Sequence, residues 1–143
     1  MAITQSTEGS FQLIGGNFDK AGEASIKLKQ ELTRLGLHEE IIRRVAIVTF
    51  EAEINVIIYA AAGWLHYAIT PEQIKIKIED MGPGIENIAL AMQEGYSTAP
   101  DWVRELGWGA GMGLPNMKKN SDEFKIDSVV GEGTTVEMVI NIK

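Results

Sequence analysis

From Ile74 to Glu79 apolar and charged residues alternate without a break, and Asp80 ends the run. Successive side chains of a strand point to opposite faces, so this pattern predicts a strand with one apolar and one solvated face. A one-sided sheet needs a second layer to cover it. Apolar residues at helical spacing elsewhere supply that layer. Ala21, Ala24, Leu28, Leu32 and Leu35 predict a first helix, capped by Asn17 or Asp19 and ended by Gly36. Ile41, Val45, Val48 and Ala52 form the stripe of a longer second helix, from near His38 to about Ala61.

The remaining segments complete a fold. Ser10–Ile14 and Trp64–Ile69 read as strands, with a turn at Thr70–Gln73. Ile85–Glu94 reads as a short helix, Gly95–Gly111 as a mobile loop, and Leu114–Asp122 as a helix that tolerates Pro115 in its first turn. Lys125–Val130 and Thr135–Ile142 form a terminal hairpin around Gly131-Glu132-Gly133. The order predicts an α+β fold: a two-layer sandwich, its sheet mixed but mostly antiparallel, with helices on one face. One domain over residues 1–143 is expected, long enough to bury a core without staples.

Composition narrows the chemistry. The chain has no cysteine, which excludes disulfides and thiolate metal sites, and its two histidines, His38 and His66, do not make a metal centre. The N-terminus has neither the basic nor the apolar region of a signal peptide, and the Val56–Leu65 stretch is too short to span a bilayer. The expectation is a soluble cytoplasmic protein with no membrane partner. A net charge of −7 argues against nucleic acid as a ligand but not against ATP, because a local glycine-rich cradle handles phosphates whatever the global charge.

Three segments carry candidate chemistry. Glu51 and Asn55 lie one turn apart on the shoulder of the second helix's stripe, while at 100° per residue Glu53 is turned to solvent. Glu51 suits a proton acceptor and Asn55 a neutral oxygen ligand for Mg²⁺. A polar pair bonded to neighbouring backbone is the bland alternative. Asp80 closes a strand before Gly82-Pro83-Gly84, where a carboxylate can accept from an exocyclic amine and glycines admit a flat ring. Good turn chemistry alone explains the same residues. Gly109, Gly111 and Gly113 open a helix, where free N–H groups suit phosphates, or else form a loop without a ligand. Leu114-Pro115 follows in place of Lys-Ser/Thr, so this is not a Walker A loop, and the glycine spacing is not that of a dinucleotide fingerprint.

In this order and separation the segments resemble the GHKL (Bergerat-fold, HATPase_c) ATP-binding superfamily, which includes histidine kinases, chaperones and gyrases. Glu51-x-x-x-Asn55 matches its N box, Asp80-x-Gly82-x-Gly84 with Ile85 its first glycine box, and Gly109-x-Gly111-x-Gly113-Leu114 its second. Gly133-Thr134 matches a further position, whose Thr helps hold adenine through the Asp and a water. Within the superfamily the chain is most similar to single-domain anti-sigma-factor serine/threonine kinases and the switch kinases of bacterial stress modules. The resemblance implies ATP and Mg²⁺ as cofactors, the metal on Asn55, and Glu51 as the catalytic base. It implies a STAS-domain anti-sigma antagonist as phosphoacceptor, a sigma factor or signalling phosphatase as a further partner, and a homodimer.

The departures are local. Tyr59 stands where many anti-sigma kinases carry His, and Ala99–Trp108 lengthens the lid and brings Trp102 and Trp108. Those tryptophans either fold back on the core or meet a partner. Arg104, Lys118 and Lys119 are candidates for the γ-phosphate, against the plainer reading of solvated charge. Neither His38 nor His66 has the setting of a phosphoacceptor helix. A kinase is the expected function. An ATP-gated binding protein with little turnover, and a detached histidine-kinase catalytic domain, are the alternatives.

Overall fold

The computed structural model describes residues 6–95, 97 and 113–142. Five strands, β1 (Thr7–Ile14), β2 (Ala62–Ile69), β3 (Gln73–Asp80), β4 (Glu123–Val129) and β5 (Gly133–Asn141), form one sheet in the order β1-β2-β3-β5-β4. Among the described residues every pairing is antiparallel, so the sheet is not mixed. The alternating Ile74–Asp80 run lies in its central strand, β3. Ile74, Ile76 and Ile78 of β3 are buried, while Lys75 and Lys77 stay exposed on the other face. Full burial of each such side chain is worth about 1.5–3 kcal/mol.

The second layer is helical. It consists of α1 (Glu23–Arg34), α2 (Glu39–Tyr59), a single turn α3 (Ile88–Ala91) and α4 (Gly113–Lys119). Leu28 and Leu32 of α1, Val45, Val48, Ala52 and Val56 of α2 and Met117 of α4 meet the β3 isoleucines in one core. Arg44 ties α2 to the end of α4, donating from Nε to the Asn120 carbonyl at 3.0 Å and pairing with Asp122 at 3.1 Å. No helix among the described residues is long and apolar enough to cross a membrane.

Three expectations are corrected. Glu53 is buried rather than solvated, with 2% of its surface exposed. Its carboxylate accepts from the backbone N–H groups of Ala24 and Ser25, at 3.2 and 3.1 Å. These are orphan donors of the first turn of α1, so a carboxylate from α2 caps a neighbouring helix. Asn17 and Asp19 therefore do not cap α1: Asn17 precedes a 3-10 turn at Phe18–Lys20 and Asp19 lies within it, and Gly22 occupies the N-cap position. The segment Ile85–Glu94 is helical only over Ile88–Ala91, because Asn87 fixes the start by accepting from Leu90 N–H at 3.0 Å.

Other boundaries shift by a few residues. The second helix stops at Tyr59, and the last helix runs from Gly113 to Lys119. His38 does start α2, its Nδ1 accepting from Glu40 N–H at 3.1 Å.

Candidate functional site

The candidate residues form two groups along α2. Glu51 and Asn55 share a face one turn apart, and the N-terminus of α4 is laid against them. A Cβ on Gly113 would sit 3.2 Å from Asn55 Oδ1 and 3.3 Å from Glu51 Oε2. A side chain at this position would press on both groups, so glycine suits the close approach. Asn116, one turn further along α4, hydrogen-bonds Glu51 through its side chain. Burial pushes the Glu51 carboxyl above the ordinary carboxylate range, and the Asn116 contact opposes that shift only in part. A carboxylate with raised proton affinity is a stronger base, as a proton acceptor requires.

The second group closes around Asp80 at the end of β3. Asp80 faces Thr134 in register, and its Oδ1 accepts from Gly82 N–H at 2.9 Å and Thr134 N–H at 3.2 Å. Among the described residues Oδ2 has no hydrogen-bond partner, so this oxygen keeps its lone pairs. Ser128 completes the group. Its hydroxyl oxygen accepts from Ile85 N–H at 2.7 Å and lies 2.8 Å from Thr134 Oγ1. Gly84 makes the turn possible: φ is +78°, and a Cβ there would strike the Val129 carbonyl at 2.5 Å. Gly82 packs the loop against the C-terminal end of α2, near Ala60 and the Tyr59 carbonyl, which joins the two groups.

Some expected members stand elsewhere. Gly109, Gly111, Arg104, Trp102 and Trp108 lie outside the described residues. Leu114 belongs to the hydrophobic core. Lys119 pairs with Glu94. Tyr59 Oη lies 3.4 Å from Ser97 Oγ. Asn116 and Ser128 are the residues that sequence reasoning missed. Ser128 lies opposite Thr134 across the hairpin, so the β4–β5 register brings it to the site.

A groove of about 770 Å³ runs between α1 and α2, away from Asp80, and meets the site at Glu51. Among the described residues no cluster of three His, Asp or Glu side chains could hold a metal alone. The Asn55 oxygen beside the Glu51 carboxylate is nevertheless a hard oxygen donor set. It fits Mg²⁺, which takes few protein ligands and keeps waters and phosphates.

The Glu51 carboxylate and the Asn55 amide thus lie under a helix N-terminus, with the strand-end Asp80 beyond. The histidine kinase-like ATPase domain family matches residues 19–140, and the chain belongs to it. The chain is 34% identical over 100 residues to the serine/threonine-protein kinase RsbT of Bacillus subtilis (strain 168), covering 67% of this chain and 69% of that protein. It is 30% identical over 120 residues to the anti-sigma F factor of Priestia megaterium, covering 79% and 78%. A chain of the SiaB-SiaC complex from Pseudomonas aeruginosa shares the fold, with a TM-score of 0.64 at 15% identity over 92% of this chain and 88% of that one.

Proposed function

We propose that the chain is an ATP- and Mg²⁺-dependent serine/threonine protein kinase of the anti-sigma or switch type, acting on a STAS-like antagonist. The observation that carries this reading is the convergence of Glu51, Asn55 and the α4 N-terminus at Gly113. Phosphoryl transfer is mostly positioning and charge neutralisation. Asp80 Oδ2 is the acceptor for the adenine amine, held in place by Gly82 and Thr134 N–H groups. Asn55 is the protein ligand of the Mg²⁺ that offsets phosphate charge. Glu51 takes the proton of the attacking hydroxyl, its affinity raised by burial. The similarity to RsbT, named as a serine/threonine kinase, supports protein hydroxyl groups as acceptors.

Radiolabelled ATP incubated with the chain and a candidate STAS protein tests the reading. Glu51→Ala is expected to retain ATP binding and lose transfer by about a hundredfold or more. Transfer by Glu51→Ala at the wild-type rate would remove the base assignment. A second reading, ATP-gated partner binding with little turnover, draws on the similarity to an anti-sigma factor. It is selected if ATP governs complex formation while no phosphoprotein appears.

A further inference from the structure

The open face of the sheet, opposite the helices, carries a hydrogen-bonded chain that the ATP-site reading leaves unused. Ser10 on β1, His66 on β2 and Glu79 on β3 lie side by side across three strands. Ser10 and His66 are cross-strand partners, and Ser10 Oγ lies 2.7 Å from His66 Nδ1. On the other side of the ring, His66 Nε2 lies 2.8 Å from Glu79 Oε1. The Trp64 indole stacks beside the imidazole, with ring centroids 6.2 Å apart and planes 13° apart. Trp64 is itself the register partner of Glu79, so the sheet fixes all four residues against one another.

These contacts give the neutral imidazole a direction. An ionised Glu79 only accepts, so Nε2 carries the ring proton and Nδ1 keeps the lone pair. The Ser10 hydroxyl then donates to Nδ1. This is the nucleophile, base and orienting carboxylate of a catalytic triad, with the two ring nitrogens exchanged. The site is reachable: His66 and Glu79 side chains are 38% and 45% exposed.

We propose that Ser10 is a nucleophilic serine, activated by His66 and accepting acyl groups from small activated carboxylic esters. Ser10 Oγ bonds to the ester carbonyl carbon while its proton passes to His66 Nδ1. The bond from that carbon to the leaving oxygen breaks, and the alcohol departs with the proton. Water, using the same base, then releases the carboxylic acid and restores Ser10. Glu79 is a positioning residue that holds the imidazole tautomer.

The full chain treated with p-nitrophenyl acetate, followed by peptide mass spectrometry, tests this. Ser10 is expected to be acetylated at least about tenfold faster than the exposed Ser6. His66→Ala should bring Ser10 down to the Ser6 rate, and added imidazole should restore it. Equal rates at the two serines, or a His66→Ala rate matching wild type, would overturn the proposal. Imidazole ¹⁵N shifts should report the Nε2–H tautomer in the wild type and a mixture in Glu79→Ala. A wild-type Nδ1–H tautomer would overturn the assigned roles.

Discussion

Glu51 and Glu53 are two residues apart on one helix, yet their surroundings give them different work. Glu51 meets Gly113 and Asn116, whereas Glu53 is sealed under α1 and accepts from its first backbone N–H groups. Removing Glu53 strands those donors in a buried place, so Glu53→Ala should cost about 2 kcal/mol in urea unfolding. Burial also pushes the Glu53 carboxyl above the ordinary value of 4.5, more than its backbone hydrogen bonds lower it. Below 4.5 both folded and unfolded chains hold the proton, and ionisation costs the fold nothing. As pH rises from there, the unfolded chain ionises first, and stability falls until the buried carboxyl ionises too. Relative to Glu53→Gln, the wild type should therefore lose thermal stability as pH rises above 4.5; parallel curves would contradict it. At Gly113 the issue is space. A methyl group there presses on Glu51 and Asn55 at 3.2–3.3 Å, so Gly113→Ala should fold while losing phosphotransfer by about tenfold, a loss of about 1.4 kcal/mol in transition-state binding.

Elements differ in how plainly a sequence announces them. β3 was legible because alternation directly encodes a one-sided strand, and the α2 stripe was legible through Val45, Val48 and Ala52. Glu53 was not, because a helical wheel with one buried face assumes one packing partner. α2 packs against both the sheet and α1, and its buried residues include Thr49, Glu53 and Ile57 beyond the single stripe. Ser25 and Thr49 seal that second seam: the Thr49 hydroxyl donates to Ser25 Oγ at 3.1 Å, and Ser25 donates to the Ala46 carbonyl at 3.1 Å. Within the candidate site, Gly82, Gly84, Gly113 and Asp80 stand out in the sequence, while Asn116 and Ser128 depend on contacts between elements. Ser128 links the hairpin to the loop after β3. Ser128→Ala leaves Ile85 N–H without its partner and should cost about 1 kcal/mol in stability. It should also weaken ATP binding several-fold in calorimetry, because Thr134 loses its hydroxyl neighbour.

At the scale of the whole molecule, β3 belongs to both stability and site. Its isoleucines hold the two layers together, and its last residue, Asp80, presents a carboxylate oxygen that no described residue binds. The two roles occupy different ends of one strand, so they should separate on mutation. Ile76 is 1% exposed at the sheet centre, and Ile76→Ala removes buried methyl groups and leaves a cavity. The expected cost is about 2–5 kcal/mol, read as a lower urea midpoint with an unchanged slope. Asp80→Asn keeps the size of the side chain and leaves the core intact, but replaces one acceptor oxygen with a donor. Its unfolding midpoint should stay near that of wild type while ATP affinity falls by about tenfold or more, since an adenine amine would then face a donor. Measured on the folded fraction, Ile76→Ala should bind ATP as the wild type does. Equal losses of affinity in both variants would mean that the strand transmits core packing to Asp80, and that stability and nucleotide recognition are one property of β3.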